Sequence, residues 1–428
     1  MEKLALFKRF PRSLGVKMTM ELDCDRQRAA IAALARQPRP LPLCCGVQHY
    51  AWGDRVFIPN LLGLANLEGK PFAELWIGAH SDLMAQAVVG EDKVPLDRLL
   101  EAIPKVLLGP EREQLPFLMK ILAAAQPLSI QVHPDKRQAE AGFRREEQLG
   151  IPVNAAHRNY RDPNHKPELL CALSDFYALK GFRPEAEVAA QLAAIPEWRG
   201  LFTRFGELGL KAFYRYLMTL PQAEVDRLLA PHLARLRRQG PFPKDRREYW
   251  LLKADALYSQ GKHHDRGLFS LYLLNFLHLR PGEAIFQSAG ELHSYLEGVG
   301  VEVMANSNNV LRGGLTPKHV DIEALLEIVK FEGGPAQVLF PERQGEEAVY
   351  PAPVEEFVLS RVELPQAQVY ASSGGLRLGI VLDGAVRLTW ETGKLLLGRG
   401  QSYLIPHGLA CRIQAEADAV LYQSACPI

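Results

Sequence analysis

With 428 residues and a formal net charge of +1, the chain is too long for one ordinary core, and its totals do not point to nucleic acid or a membrane surface. Six cysteines in this length, two of them adjacent (Cys44-Cys45) and none in a metal-type CxxC, make no disulfide framework and predict reduced thiols in a cytoplasmic protein. No apolar run reaches the ~20 residues that span a bilayer, and Leu4-Ala5-Leu6-Phe7 is too short for a signal-peptide core before Lys8-Arg9.

Residues 1–39 read as an N-terminal extension. A helix is predicted from Met20 to Arg36, stopped by Pro38-Arg39-Pro40. From Pro40 the pattern changes to short β-like runs between Gly, Pro and Asn: Ala73 to Ile77, Ala85 to Val89, Phe117 to Ala123, Leu128 to His133 and Leu169 to Leu179. Such short runs favour an antiparallel sandwich or barrel over βαβ units. No GxGxxG or GxxxxGK[ST] loop stands in the required context.

Residues 184–266 have a helical texture. Val188 to Ile195, Gly209 to Thr219 and Ala223 to Arg238 carry helical apolar spacing, and the arginines from Arg235 to Arg247 read as a solvated face. β character returns at Phe269 to Leu279, followed by a turn at Pro281-Gly282. Strands are expected at Ala284 to Gln287, Glu291 to Leu296 and Val301 to Met304, then a helix from Glu323 to Lys330. Beyond Phe357, strands are expected at Leu376 to Val381, Val386 to Trp390, Lys394 to Leu397 and Ser402 to Ile405, with a hairpin at Asp383-Gly384. The predicted architecture is mainly β with a helical insertion. One barrel is built from residues 40–183 and 267–330 around the insertion 184–266, and a second, smaller, metal-free barrel spans residues 331–428.

One stretch concentrates chemistry. In Gln126-Pro127-Leu128-Ser129-Ile130-Gln131-Val132-His133-Pro134-Asp135-Lys136, polar Ser129, Gln131 and His133 alternate with apolar Leu128, Ile130 and Val132. On a strand this separates a polar face from an aliphatic one, as a cavity wall backed by a core requires. Gln131 and His133 are two candidate metal ligands. Glu168, at the start of an apolar strand, and His293, on one face with Glu291 and Tyr295, are further candidates. Taken singly each is weak, since a lone strand histidine is more often a satisfied core or surface residue. His263-His264-Asp265 reads as a solvated loop, and Trp52 and Trp76 read as core residues.

Together, Tyr50-Ala51-Trp52-Gly53, Ala73-Glu74-Leu75-Trp76-Ile77-Gly78, Gln131 to Lys136, His165-Lys166-Pro167-Glu168 and Asn309-Val310-Leu311-Arg312-Gly313-Gly314-Leu315-Thr316-Pro317-Lys318 are similar to the motifs of type I phosphomannose isomerases, zinc enzymes of the cupin superfamily. The resemblance covers most of residues 44–325. It implies two cupin-type (jelly-roll) barrels, and one Zn2+ per chain on Gln131, His133, Glu168 and His293. The implied reaction interconverts mannose 6-phosphate and fructose 6-phosphate through a cis-enediol. Arg312 matches the catalytic arginine, whose role is electrostatic because guanidinium does not deprotonate. Lys166 and His165 are the titratable candidates for proton transfer. Lys120, Ser129 and Lys136 are expected around the substrate, supplying donors to its phosphate. The sequence departs from the family at Asn308, where an acidic residue is common; Asn308 can bond a sugar hydroxyl but cannot act as a base. The expected partner is a small sugar phosphate, with no nucleic acid and no membrane, and the expected state is a monomer. The alternatives are a related isomerase for another sugar and a sugar-phosphate binder without turnover.

Overall fold

Two large antiparallel sheets face one another across a shared apolar core. The structure, a computed structural model, describes residues 25–261, 263–372 and 374–427. Residues 25–36 are helical; the start of the predicted N-terminal helix lies outside the described residues. No helix among the described residues is long and apolar enough to cross a membrane.

The spine of the site-bearing sheet is the strand His293–Ala305. Its first half pairs with Phe176–Phe182. Its second half runs between Phe117–Ala124 and Glu168–Ala172. Two separate strands were expected over this segment. It is continuous because Gly298 adopts φ +138, where a Cβ would stand 2.8 Å from the Asp175 carbonyl oxygen. Beyond Phe117–Ala124 the sheet continues through Glu74–Ile77 to Gly46–Gln48. The chemistry-bearing stretch forms regular pairs only at Gln131–Val132, against His293 on one side and Leu311–Arg312 on the other. Pro127 and Pro134 flank it and cannot extend the ladder. The predicted alternation of faces holds from Ser129 to Val132, where Ile130 and Val132 are buried in one core cluster and Ser129 and Gln131 are half-buried; Leu128 departs from it, packing in another cluster and lining the same cavity as Ser129.

The second sheet does not divide where the chain was expected to. Leu41–Cys44 pairs with Ser402–Ile405 on one edge and with Gln86–Val89 on the other, so N-terminal strands complete the C-terminal sheet. Asp383-Gly384 is not a hairpin. Arg377–Trp390 is one strand, with register shifts between Val381 and Val386. Gly384 takes φ +73 there, where a Cβ would lie 2.0 Å from the Asp418 carbonyl oxygen; the signal marks a bulge. The turn falls instead after Trp390, which pairs with Gly393.

The helices Glu185–Ala193, Arg199–Thr219 (broken by a kink at Gly209, φ +68), Gln222–Gln239 and Arg247–Tyr258 lie between Phe176–Phe182 and Leu274–Leu279. The first half of the apolar run expected as β from Phe269 is helical: Arg266–Phe269 is a 3-10 turn and Ser270–Leu273 an α-helix, with the strand starting at Leu274. The helices share one core with the sheet. Leu201, Phe213, Tyr214 and Leu268 pack in the same cluster as Ile130, Val132, Leu311 and Leu315. The aliphatic face of the Gln131–Val132 strand is therefore covered by the insertion.

Leu41, 1% exposed, sits in the core between the sheets with Leu378 and Leu404. Leu41→Ala is expected to lower unfolding free energy by about 2–5 kcal/mol in denaturant titration, the usual cost of a leucine-sized hole.

Candidate active site

Three buried side chains from three strands converge. His133 follows Gln131–Val132, Glu168 opens Glu168–Ala172, and His293 opens the spine strand. His133 Nε2 lies 3.3 Å from Glu168 Oε1, and His293 Nε2 lies 3.5 Å from Glu168 Oε2. One donor atom from each falls within 4.8 Å of the others. The outer ring nitrogens are anchored to backbone carbonyls, His133 Nδ1 to Asn309 O at 2.7 Å and His293 Nδ1 to Glu291 O at 3.0 Å. That bonding turns both Nε2 atoms inward, the arrangement that orients ligating histidines. His133 Nε2 is buried with no hydrogen-bond partner. Burial pushes the His133 imidazole down to about 4, against the pull of Glu168. Burial alone would raise Glu168, but Lys166 and the imidazoles outweigh it and hold the carboxyl well below the usual range.

Gln131 and Lys166 connect this cluster to a cavity of about 550 Å³. Gln131 is the register partner of both His293 and Arg312, and its Nε2 donates to Ser129 Oγ at 3.3 Å. Lys166 Nζ is 3.0 Å from Glu168 Oε1. Ser129, Lys120, Asn308 and Arg312 also line the cavity. So do Trp52 and Trp76, and the core expected for them holds as well: Trp76 is buried with Leu118 and Met304, and Trp52 is partly buried against a neighbouring cluster.

Two expected residues are not brought there. His165 points away from Lys166 and Glu168 because successive residues of extended chain alternate sides; its Nε2 meets Glu356 Oε1 at 2.5 Å, outside the cavity wall. Lys136 starts the helix Lys136–Gln148, is about half exposed, and bonds Asn164 Oδ1 at 3.1 Å, also outside the wall. Lys120 is inside but not available as a free cation. It lies 3.2 Å from Glu302 Oε2 and 3.6 Å from Glu74 Oε1. Burial disfavours its charge, and the two carboxylates more than restore it.

The unneutralised positive charge is elsewhere. Arg161, Arg312 and Lys318 line the cavity, and no carboxylate forms an ion pair with them among the described residues. Burial and then mutual repulsion lower Arg312 and Lys318. Such a cluster wants an anion. Sequence reasoning missed Arg161, and passed over Lys318 although it ends one of the quoted motifs. It also missed the fully buried Asn309. Its Oδ1 accepts the Arg161 N–H at 2.7 Å, its Nδ2 donates to the Asp162 and Asn164 carbonyls at 2.7 and 2.8 Å, and its own carbonyl anchors His133.

Comparison with known proteins gives one answer. Residues 41–185 match the family described as phosphomannose isomerase type I, catalytic domain. The chain is 40% identical over 371 residues to the mannose-6-phosphate isomerase of Escherichia coli (strain K12), covering 84% of this chain and 93% of that protein. The chain belongs to the type I phosphomannose isomerases. The human mannose-6-phosphate isomerase is 32% identical over 363 residues, covering 77% of this chain and 83% of that protein. A structure of the Salmonella typhimurium mannose 6-phosphate isomerase bound to substrate and zinc superposes with a TM-score of 0.82 at 36% identity, covering 91% of this chain and all of that one.

A phosphomannose isomerase of this family carries zinc, and the residues here fit one. Two imidazoles with inward Nε2 atoms and one ionised carboxylate form a convergent N/O donor set, and the orphaned His133 Nε2 is the atom a metal would satisfy. Glu168→Ala or His293→Ala is expected to abolish stoichiometric zinc in metal analysis of folded protein. Retention of one zinc per chain by either variant would refute this donor set.

Proposed function

We propose that this cavity performs the zinc-dependent interconversion of mannose 6-phosphate and fructose 6-phosphate, with the sugar carbonyl end beside Lys166 and Gln131 and the phosphate at Arg161 and Lys318. The observation that carries the reading is a convergent metal-donor set opening, through Gln131 and Lys166, onto a cavity whose unpaired cations are grouped. Zinc, held by Gln131, His133, Glu168 and His293, supplies Lewis acidity toward the substrate oxygens when bound.

The isomerisation breaks C2–H and makes C1–H, and it moves a proton from O2 to O1. A cis-enediol lies between. Lys166, beside the carboxylate and on the cavity wall, is the group placed to hold or move these protons. Arg312 stays charged and offsets the oxyanion that develops as C2 is deprotonated. Lys120 and Glu74, bridged in turn to Glu302, present hydrogen-bonding groups without a free positive charge to sugar hydroxyls, Ser129 adds a hydroxyl, and Asn308 adds an amide. This revises the expected phosphate site: Lys120 is already matched by carboxylates, whereas Arg161 and Lys318 are not. The fold that goes with the reading is two cupin-type barrels, supported by the two antiparallel sheets. The setting is a cytoplasmic monomer.

A coupled assay with mannose 6-phosphate, run before chelation, after it, and after zinc restoration, tests the reading. Zinc-dependent formation of fructose 6-phosphate is expected; folded, zinc-loaded protein without turnover would sink it. Arg312→Ala is expected to keep its zinc while kcat falls about 10²–10³-fold, the usual loss for a group that stabilises developing charge. Loss of zinc in that variant would make Arg312 structural instead.

A further inference from the structure

The loop that carries Lys318 is built on a carboxylate of the helical insertion. After Leu311–Arg312 the chain turns through Gly314 at φ +120 and Leu315 at φ +51. A leucine in the left-handed region is costly and persists only when its surroundings impose it. Leu315 is fully buried in the core shared with the helices.

What imposes the turn is Asp265, in the segment expected from sequence to be a solvated loop. Its Oδ1 accepts the Gly267 N–H at 2.7 Å and the Leu315 N–H at 2.9 Å, and its Oδ2 accepts the Thr316 N–H at 3.4 Å. The two backbones touch. A Cβ on Gly314 would stand 2.5 Å from Gly267 Cα and 2.9 Å from Asp265 Oδ1, and a Cβ on Gly267 would stand 2.7 Å from Leu315 N. Both glycines are therefore required for the carboxylate to reach the amides.

The near end of the loop is held independently. Arg312 is paired to Gln131, the Gly313 N–H donates to Ile130 O at 2.8 Å, and Gly314 O accepts from the Ile130 N–H at 3.0 Å. Past Leu315 that ladder ends. Thr316, Pro317 and Lys318 then run along the cavity wall, with the Lys318 N–H on Thr316 Oγ1 at 3.1 Å. The direction in which the chain leaves Leu315 thus sets where the Lys318 ammonium stands, and Asp265 fixes that direction.

We propose that Asp265 is a positioning residue of the isomerisation: it clamps the Leu315–Thr316 turn so that Lys318 meets the anionic end of the sugar phosphate. The inference rests on the reading of the cavity given above. It also gives the helical insertion, whose Leu257 and Tyr258 already line the cavity, a further part in substrate binding through a residue that does not itself line it.

The test is a double-mutant cycle on zinc-loaded full-length protein with Asp265→Asn, Lys318→Met and the pair. Asp265→Asn keeps the shape and an Oδ1 that accepts the Gly267 and Leu315 N–H groups, but it removes the charge and turns an NH2 toward the Thr316 N–H. It is expected to raise KM for mannose 6-phosphate about tenfold, as loss of a charge-assisted contact does, with zinc content unchanged and kcat within about twofold. Lys318→Met is expected to raise KM comparably, and the double variant to be no worse than Lys318→Met alone, because both changes remove one contact. An unchanged KM in Asp265→Asn, or losses that multiply in the double variant, overturns the proposal. Turnover by the unmodified protein is scored separately, so failure of the cavity reading is distinguishable. Should Asp265→Asn fail to fold, or the unmodified protein fail to turn over, amide hydrogen exchange on the unmodified protein decides. Slow exchange at Thr316, whose half-buried N–H is held by Asp265 Oδ2, supports the clamp, and exchange there as fast as in unanchored loops overturns it.

Discussion

Glu168 is a carboxylate shut away from water, with a lysine ammonium at 3.0 Å and two imidazole nitrogens at 3.3 and 3.5 Å. A buried charge is tolerated only where opposite charge or donors surround it. Here the donors come from two other strands and one extended segment, so the strand pairings around Glu168 must all form before the charge is accommodated. His133 is not the cation, because burial lowers its imidazole to about 4. Lys166 supplies one positive charge, and a divalent ion supplies the rest of what two inward-facing lone pairs and a carboxylate call for.

That requirement explains why the short Gln131–Val132 strand carries so much. Its ladder ties His293 on one side to Arg312 on the other. Its apolar residues are sealed by the helical insertion, and its polar ones face the cavity. A one-residue slip would exchange these faces, placing Ile130 and Val132 in the cavity and Gln131 in the core. The prolines at either end and the helices behind oppose such a slip. The insertion is thus part of the site's scaffold and not an appendage with a core of its own.

Much of this was legible in the residues and some was not, for physical reasons. The alternation from Leu128 to His133 revealed a two-faced strand because side-chain period is a local property. The same period would have separated His165 from Lys166 and Glu168, had it been applied to the chain entering that strand. Lys120 was legible as a lysine needing partners, but its partners Glu74 and Glu302 come from two other strands, and only register brings them together. Arg161 had no signal at all, since it stands in an irregular loop whose course is set by Asn309, far away in sequence. Asp383-Gly384 misled because a glycine at positive φ serves a bulge as well as a hairpin. The joining of Leu41–Cys44 to the C-terminal sheet is a pairing at long range that no local pattern encodes.

The charges lining the cavity are arranged by sign, and this constrains the substrate more than volume does. One region groups Arg161, Arg312 and Lys318 without paired carboxylates; another holds Lys120 already matched to Glu74 and Glu302. A sugar phosphate has one strongly anionic end and one neutral, hydroxyl-rich end. In one orientation the phosphate meets the cations and the hydroxyls meet the matched pair. Reversed, the phosphate would face Glu74 and leave the cations unsatisfied, so like-charge repulsion and lost pairing act together against it. With the phosphate fixed, the length of the sugar chain determines which carbon lies beside Lys166. Asn308 fits the same division of charge. A carboxylate on that stretch of wall would offset the cations, whereas an amide adds no charge and leaves theirs available to an anion.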